Sequence, residues 1–489
     1  MVFETIFFDQ IIDRTLFYSP KIEIKPAHLA NGFFRAVCGK YADFQDQHEA
    51  IYPKAYPEPR NLPAYLRDTQ NQGIREMLYG LLSADAAVYR APRLSSYTLS
   101  HVSQITSDNH DRRAGEWLLA ILSQGVQPSP ALDMLRELLM ETDRQRSDEL
   151  STLTLPLAPA NPDALKSFRP AMQGIPNSLR IDESGAFVDP VIRAIRAGFD
   201  QLAAYDTATV RYGGKLDTLR RFAIWGCFGV YLHLANAGRE QIDTRVPILF
   251  CMPGDRTPTL QQASIQSYRW VGRSIDIFFR KEIQRQVEQL RDEGQQGAWE
   301  NDEDIERIIG AIQSWKATSG RMRPKTRTDQ DNVRDFRAFY KSYRSATASQ
   351  PPHIAFANAA ADLLDRVLSS SPDDVARNLG RRMGLLNVTS RRTLRRYAPQ
   401  PDLLEVLVRA SVPKDVPWTI NKLAEHWSTQ YGILFGAVGN ENEQLATWGI
   451  SAVDGAELRA NADRVATLLE WSGYARRYAD GVVLVTVKE

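Results

Sequence analysis

The most apolar stretch of the chain, residues 222–237, constrains the fold more than any other feature. It is about 16 residues long and includes Trp225, His233 and Asn236. A helix needs about 20 apolar residues to cross a bilayer, so this segment is too short for that role. We therefore predict a buried helix in the core of a cytoplasmic protein that keeps its thiols reduced.

Elsewhere, apolar residues recur at three- and four-residue intervals, which is typical of helices with one buried face. The pattern occurs in residues 74–82, 117–122, 132–139, 191–205, 216–237 and 259–290. Hydrophobic residues make up 43% of the chain and charged residues 24%, as in ordinary globular proteins. We predict a mainly α-helical, multi-domain fold.

Changes in composition divide the chain into four parts. Residues 1–150 are predicted to form an N-terminal helical domain, followed by a connector over 151–190 that contains six prolines. Residues 191–400 are predicted to form a central helical domain that carries the basic clusters. Residues 401–489 are predicted to form a separate small domain.

The C-terminal domain has the order of elements that is typical of a winged helix. Helical patterns over 417–431 and 456–471 precede Ala479-Asp480-Gly481, a hairpin signal between two strand-like runs. In a winged helix, a helix enters the major groove while the hairpin contacts the backbone. Because the helix at 456–471 carries more acidic than basic residues, we expect protein contact or weak backbone contact instead of base reading.

No catalytic motif is evident in the sequence. There is neither a Gly-x-Ser-x-Gly elbow nor a phosphate-binding loop of the Gly-x-x-x-x-Gly-Lys type, and the seven histidines are dispersed. The three cysteines lack the spacing of a zinc site. We therefore predict no cofactor and no resident metal. A divergent metal-dependent nuclease remains an alternative, because its carboxylates can be brought together by folding without a fixed spacing.

The strongest local charge lies between residues 377 and 409, a segment that contains eight arginines and only two acidic residues. The whole chain is balanced, with 60 basic and 59 acidic residues, so this excess is local. The phosphate contacts predicted in this cluster are Arg381, Arg382, Arg391, Arg392, Arg395 and Arg396. On a helix, the last four would form one ridge of like charge that needs an anion. The acidic residues of 300–306 and a nucleic-acid backbone are the two candidates.

Two other segments carry clustered positive charge, a loop around residue 323 and the C-terminal hairpin. The phosphate contacts predicted there are Arg321, Arg323, Lys325, Arg476 and Arg477. The loop leads into a helix over 333–343 with a basic face and an aromatic stripe. We expect the aromatic side chains to face the core and keep the basic face as a further phosphate contact.

Four segments of the last about 110 residues resemble a known group of proteins. They are Met383-Gly384-Leu385-Leu386, residues 395–405, Gln430-Tyr431-Gly432-Ile433 and residues 468–475. The chain is similar here to uncharacterised accessory proteins of bacterial anti-phage, DNA-targeting defence gene clusters. The resemblance implies an accessory subunit that works beside an ATPase, nuclease or methyltransferase, and it assigns no role to any residue.

Together, these features predict a non-catalytic DNA-binding or adaptor subunit of a bacterial multi-protein DNA-processing assembly. Its arginine clusters would contact phosphates, and its partners would be other protein subunits and DNA but no membrane. A protein–protein scaffold without nucleic-acid contact is the alternative, in which an acidic partner protein neutralises the arginines.

Overall fold

A computed structural model describes residues 26–38, 111, 114–139, 179–209, 214–254, 257–292, 301–307, 329–346, 350–367, 373–387 and 394–487. The fold is mainly α-helical, as predicted. The helices are α1 (Pro26–Cys38), α2 (Ala114–Ser123), α3 (Pro130–Leu139), α4 (Pro190–Thr209), α5 (Lys215–Ala237), α6 (Pro258–Asp292), α7 (Asp329–Ala346), α8 (Pro352–Val367), α9 (Asp373–Arg382), α10 (Pro401–Arg409), α11 (Ile420–Tyr431), α12 (Glu441–Ala446) and α13 (Gly455–Trp471). The strands are β1 (Ile248–Leu249), β2 (Trp418–Thr419), β3 (Ile433–Leu434), β4 (Ala475–Arg477) and β5 (Val483–Val485). Within these ranges, no helix has the length and apolar character needed to cross a membrane.

Helix α5 lies at the centre of the fold, as the apolar stretch predicted. Every residue from 222 to 236 is buried, and the helix packs against α1, α4 and α6. The indole of Trp225 donates to the Ile195 carbonyl of α4 at 2.9 Å. Its ring lies against Gly198, where a Cβ atom would come within 2.0 Å of it. A helix that is apolar on all sides is stable only when neighbours cover it completely, and this packing provides that cover.

One hydrophobic core connects the N-terminal, central and C-terminal parts of the chain. It includes Leu29 of α1, Trp225 of α5, Trp427 of α11 and Val485 of β5. The four-part division of the chain therefore stays a prediction. Most of the expected connector, residues 151–178, lies outside the described residues, as does the helix predicted over 74–82.

The C-terminal elements follow the predicted order. Strand β5 pairs antiparallel with both β2 and β4, so the three-stranded sheet has the order β2-β5-β4. The predicted hairpin joins β4 to β5, with Gly481 at its turn in the left-handed region (φ 83°). At the start of α13, the Asp454 side chain accepts two backbone N–H bonds, which stabilises the first turn. These local signals explain why the helices and the hairpin were predictable.

A second, parallel pairing joins the central and C-terminal parts. Strand β1 pairs with β3, with Ile248 opposite Ile433. Beyond β1, Phe250 forms a parallel bridge with Tyr397, and Tyr397 forms an antiparallel bridge with Leu386. The run over 246–251 is therefore extended between these partners. It holds the segments that carry the candidate arginines.

Candidate nucleic-acid interface

Four arginines of the main cluster lie at or beside a short antiparallel unit that follows α9. Residues 383–387 run antiparallel to residues 394–400, and the backbone N–H of Asn387 donates to the Arg396 carbonyl at 3.1 Å. In return, the Asn387 side chain accepts the Arg396 N–H at 2.9 Å. The unit therefore carries Arg381 and Arg382, at the end of α9, together with Arg395 and Arg396.

Arg395 and Arg396 lie in an extended segment, so the helical ridge that their spacing allowed does not form at these two residues. The buried Tyr397 forms bridges on both sides, and its hydroxyl lies 3.0 Å from that of Tyr231. Pro399 and Pro401 also disfavour the helical conformation at the residues before them. Arg391 and Arg392 lie outside the described residues, as do Arg321, Arg323 and Lys325.

The arginines of this unit differ in exposure. Arg381 is exposed, Arg382 and Arg396 are half-buried, and Arg395 is only 9% exposed. One terminal nitrogen of Arg395 and the Nε of Arg396 are buried without a hydrogen-bond partner. Among the described residues, no carboxylate forms an ion pair with Arg381, Arg395 or Arg396. Their positive charges are therefore not neutralised by neighbouring side chains.

Asp302 and Glu306, in the acidic stretch 300–306, are paired with α7. Asp302 pairs with Arg344 of α7 at 2.9 Å, and Glu306 pairs with Arg337 at 2.8 Å. The Tyr340 hydroxyl also donates to Asp302, and this bond, followed by Arg344, lowers the pKa of the carboxyl group. Asp302 and Glu306 therefore neutralise the basic face of α7, and neither forms an ion pair with Arg381, Arg395 or Arg396.

The aromatic stripe of α7 contributes to the core. Phe336 and Tyr340 are buried, and the Phe336 ring centroid lies 4.9 Å from that of Phe356 in α8. The expectation that this stripe packs inward is confirmed for these two residues. The Tyr343 hydroxyl donates instead to Asp362 of α8 at 2.7 Å.

The two hairpin arginines have different surroundings. Arg477 pairs with Glu470 at 3.1 Å and with Asp463 at 3.5 Å, both on α13. Arg476 is exposed, and its guanidinium carbon lies 5.4 Å from the centroid of the Tyr478 ring. No described carboxylate pairs with Arg476. Of the two, Arg476 therefore has the guanidinium that is available to an external anion.

The inner face of α13 binds the central part of the chain through three polar residues that sequence reasoning missed. Glu457 accepts the Leu260 N–H at the start of α6 at 2.8 Å. Asn461 accepts the Met252 N–H and donates to the carbonyls of residues 250 and 435. Arg464 lies against Gly254, where a Cβ would fall 2.2 Å from its Cζ. The three residues are four and three positions apart, which places them on one face of the helix. This spacing is the sequence feature that could have indicated a shared contact surface.

Arg409, the last of the eight arginines between residues 377 and 409, belongs to a buried ionic network. Its Nε lies 3.2 Å from Glu405 and donates to the Tyr474 hydroxyl at 2.8 Å. Its guanidinium carbon lies 4.1 Å from the centroid of the Tyr205 ring. The fully buried Asp206 joins this network and forms a two-point ion pair with Arg221. Arg409 therefore has a structural role and is not available to phosphate.

Cys227 and His233 are buried in apolar surroundings. Burial raises the pKa of the Cys227 thiol, which disfavours the reactive thiolate. Burial also lowers the pKa of His233 to about 4, and its ring packs against Trp117 and Phe278. In the part of the chain that the structure covers, no group of three or more His, Cys, Asp or Glu side chains is placed to hold a metal ion.

No protein-family model matches this chain, and no curated protein is significantly similar to it in sequence.

Proposed function

We propose that this chain is a non-catalytic DNA-binding or adaptor subunit of a multi-protein DNA-processing assembly. Its arginines contact the phosphate backbone and thereby hold DNA for other subunits. The resemblance of its C-terminal part to accessory proteins of anti-phage defence clusters makes an ATPase, a nuclease or a methyltransferase the expected partner.

The observation that carries this proposal is the absence of ion pairs at Arg381, Arg395, Arg396 and Arg476 among the described residues. The acidic stretch that was a candidate to neutralise the main cluster pairs with α7 instead. Guanidinium groups without carboxylate partners favour an external anion, and their planar fork suits phosphate oxygens. Phosphates of a nucleic acid provide such an anion repeatedly along one backbone.

We further propose that residues 401–487 form a winged-helix-like module. The order α10, β2, α11, α13 and then a hairpin supports this, as does the pairing of β2 with the far strand of the hairpin. The exposed face of α13 carries Arg459 and also Asp463, so it has no excess of positive charge. We therefore assign backbone contact to the hairpin, through Arg476, and no base reading to α13.

The test is a salt titration of DNA binding. A fluorescein-labelled duplex without terminal phosphates is titrated with the protein at about 50 to 200 mM salt, and binding is followed by anisotropy. Arg381→Gln combined with Arg476→Gln removes two exposed cations. It should flatten the slope of log K against log salt by about 0.9 for each lost contact, or about two units in total.

Arg337→Gln is the matched control, because Arg337 is also on the surface but is paired with Glu306. This variant should leave the salt slope unchanged. If the double variant binds duplex DNA with the affinity and slope of the natural protein, these arginines do not contact phosphates. If no form of the chain binds DNA, the scaffold alternative is favoured.

A further inference from the structure

Two arginines from distant parts of the sequence converge on the Cys251 thiol. Arg396 comes from the extended segment 394–400, and Arg464 comes from the inner face of α13. The Cys251 N–H donates to the carbonyl of Tyr397, the residue after Arg396, at 2.7 Å, and Arg464 lies against Gly254. Burial raises the pKa of the Cys251 thiol, and the charges of Arg396 and Arg464 both oppose this rise. Among the described residues, no carboxylate forms an ion pair with either arginine.

Three donor atoms at this place are buried and have no nitrogen or oxygen acceptor. They are the Nε of Arg396, an Nη of Arg464 and the hydroxyl of Thr257. Thr257 is only 3% exposed, lies beside Cys251 and directly precedes α6. Buried polar groups in proteins almost always have hydrogen-bond partners. Both arginines are half-buried and have no carboxylate partner among the described residues, so each guanidinium favours a nearby anion.

The nearby backbone is arranged to admit the arginine side chain. A Cβ atom at residue 254 would lie 2.2 Å from the Arg464 Cζ, so a larger residue there would displace the guanidinium. The first turn of α6 adds a partial positive charge to the same region. The Glu457 carboxylate accepts one N–H of that turn, from Leu260, but it pairs with neither arginine. Among the described residues, positive charge is therefore in excess at this position.

We propose that Arg396, Arg464 and Thr257 form a binding site for a phosphoryl group at the start of α6. A tetrahedral oxyanion presents several acceptor oxygens to donors that approach from different segments, and it neutralises both arginines at once. Such a ligand would also join α13 to the central part of the chain. The site goes beyond the proposed backbone contacts, because it does not require a polynucleotide.

The probe is inorganic phosphate, compared with sodium chloride at matched ionic strength, and the measurement is the thermal midpoint of the full-length chain. Phosphate should raise the midpoint of the natural protein progressively with concentration, because it binds the folded state. Arg396→Gln and Arg464→Gln should each weaken the apparent affinity for phosphate about tenfold or more. Arg459→Gln, on the exposed face of α13, is the matched control and should retain the full response.

Thr257→Val is a second variant that keeps the shape of the buried side chain. It should fold even if the arginine variants do not, and its response to phosphate should be weaker than that of the natural protein. The proposal is overturned if neither inorganic phosphate nor a 5′-phosphorylated strand gives a larger shift than chloride. It is equally overturned if every folded variant responds as the natural protein does.

A final comparison distinguishes the two sources of a phosphoryl group. One short single strand is supplied with a 5′-phosphate or with a 5′-hydroxyl end. A response to inorganic phosphate assigns the site to the free ion, whereas a response confined to the phosphorylated strand assigns it to a nucleic-acid end. The test of the proposed function uses a duplex without terminal phosphates, so the two proposals can fail separately.

Discussion

Replacing Asp206 by asparagine should destabilise the fold by about 3 kcal/mol. Asp206 is fully buried, and Arg221 donates to its two oxygens at 2.6 and 3.1 Å. Arg409 lies 3.8 Å away and is itself paired with Glu405. The four side chains form a neutral set of two cations and two anions that connects α4, α5 and α10.

The substitution removes one negative charge and leaves a buried positive charge uncompensated. Breaking a buried ion pair in this way costs about 3–5 kcal/mol, and we take the lower end because the asparagine carbonyl still accepts one hydrogen bond. The assay is urea unfolding followed by circular dichroism. Asp276→Asn, in a partly exposed pair with Arg280 on α6, is the control and should cost about 0.5 kcal/mol or less. The reasoning would be refuted if Asp206→Asn lowered the free energy of unfolding by no more than the control variant does.

Two further outcomes are expected. The buried His233 has a pKa of about 4, whereas an unfolded histidine has about 6.5, so the unfolded state binds more protons in between. The free energy of unfolding should therefore fall as the pH drops from about 6.5 to 4. In urea unfolding measured at each pH, His233→Leu should remove up to about 3 kcal/mol of this pH-dependent loss. A variant with the same pH profile as the natural protein would contradict this prediction. Trp471 is 82% exposed at the end of α13, so Trp471→Ala should change stability by less than about 0.5 kcal/mol. If this end of α13 docks a partner subunit, some proteins should copurify with the natural chain after nuclease treatment but not with Trp471→Ala. Val126→Ala, which changes another exposed apolar residue, is the control and should retain them.

The elements set by local patterns could be predicted from the sequence. The apolar stretch at 222–237 predicted the buried helix α5, and the periodicity of 259–290 predicted most of α6. The Asp480-Gly481 turn predicted the hairpin, because the left-handed conformation at residue 481 is one that glycine adopts readily. Each of these signals depends on residues close to one another in the chain.

The contacts of the arginines could not be predicted, because they depend on pairings between distant segments. The conformation of Arg395 and Arg396 follows from Tyr397, which bridges both Leu386 and Phe250. The four-residue spacing of the cluster allowed a helix, but the bridges favour an extended chain. The direction of Arg464 likewise follows from the docking of α13 on residues 250–254, which no local pattern indicated.

Charge density along the sequence therefore does not identify a phosphate-binding surface by itself. Helix α7 and the 381–396 unit are both rich in arginine, yet Arg337 and Arg344 are paired with acidic residues of 301–307. Removing a cation from an internal pair mainly exposes its carboxylate, whereas removing an unpaired cation weakens the attraction for an outside anion. The proposed interface accordingly rests on arginines such as Arg381 and Arg476, which are exposed and have no carboxylate partner among the described residues.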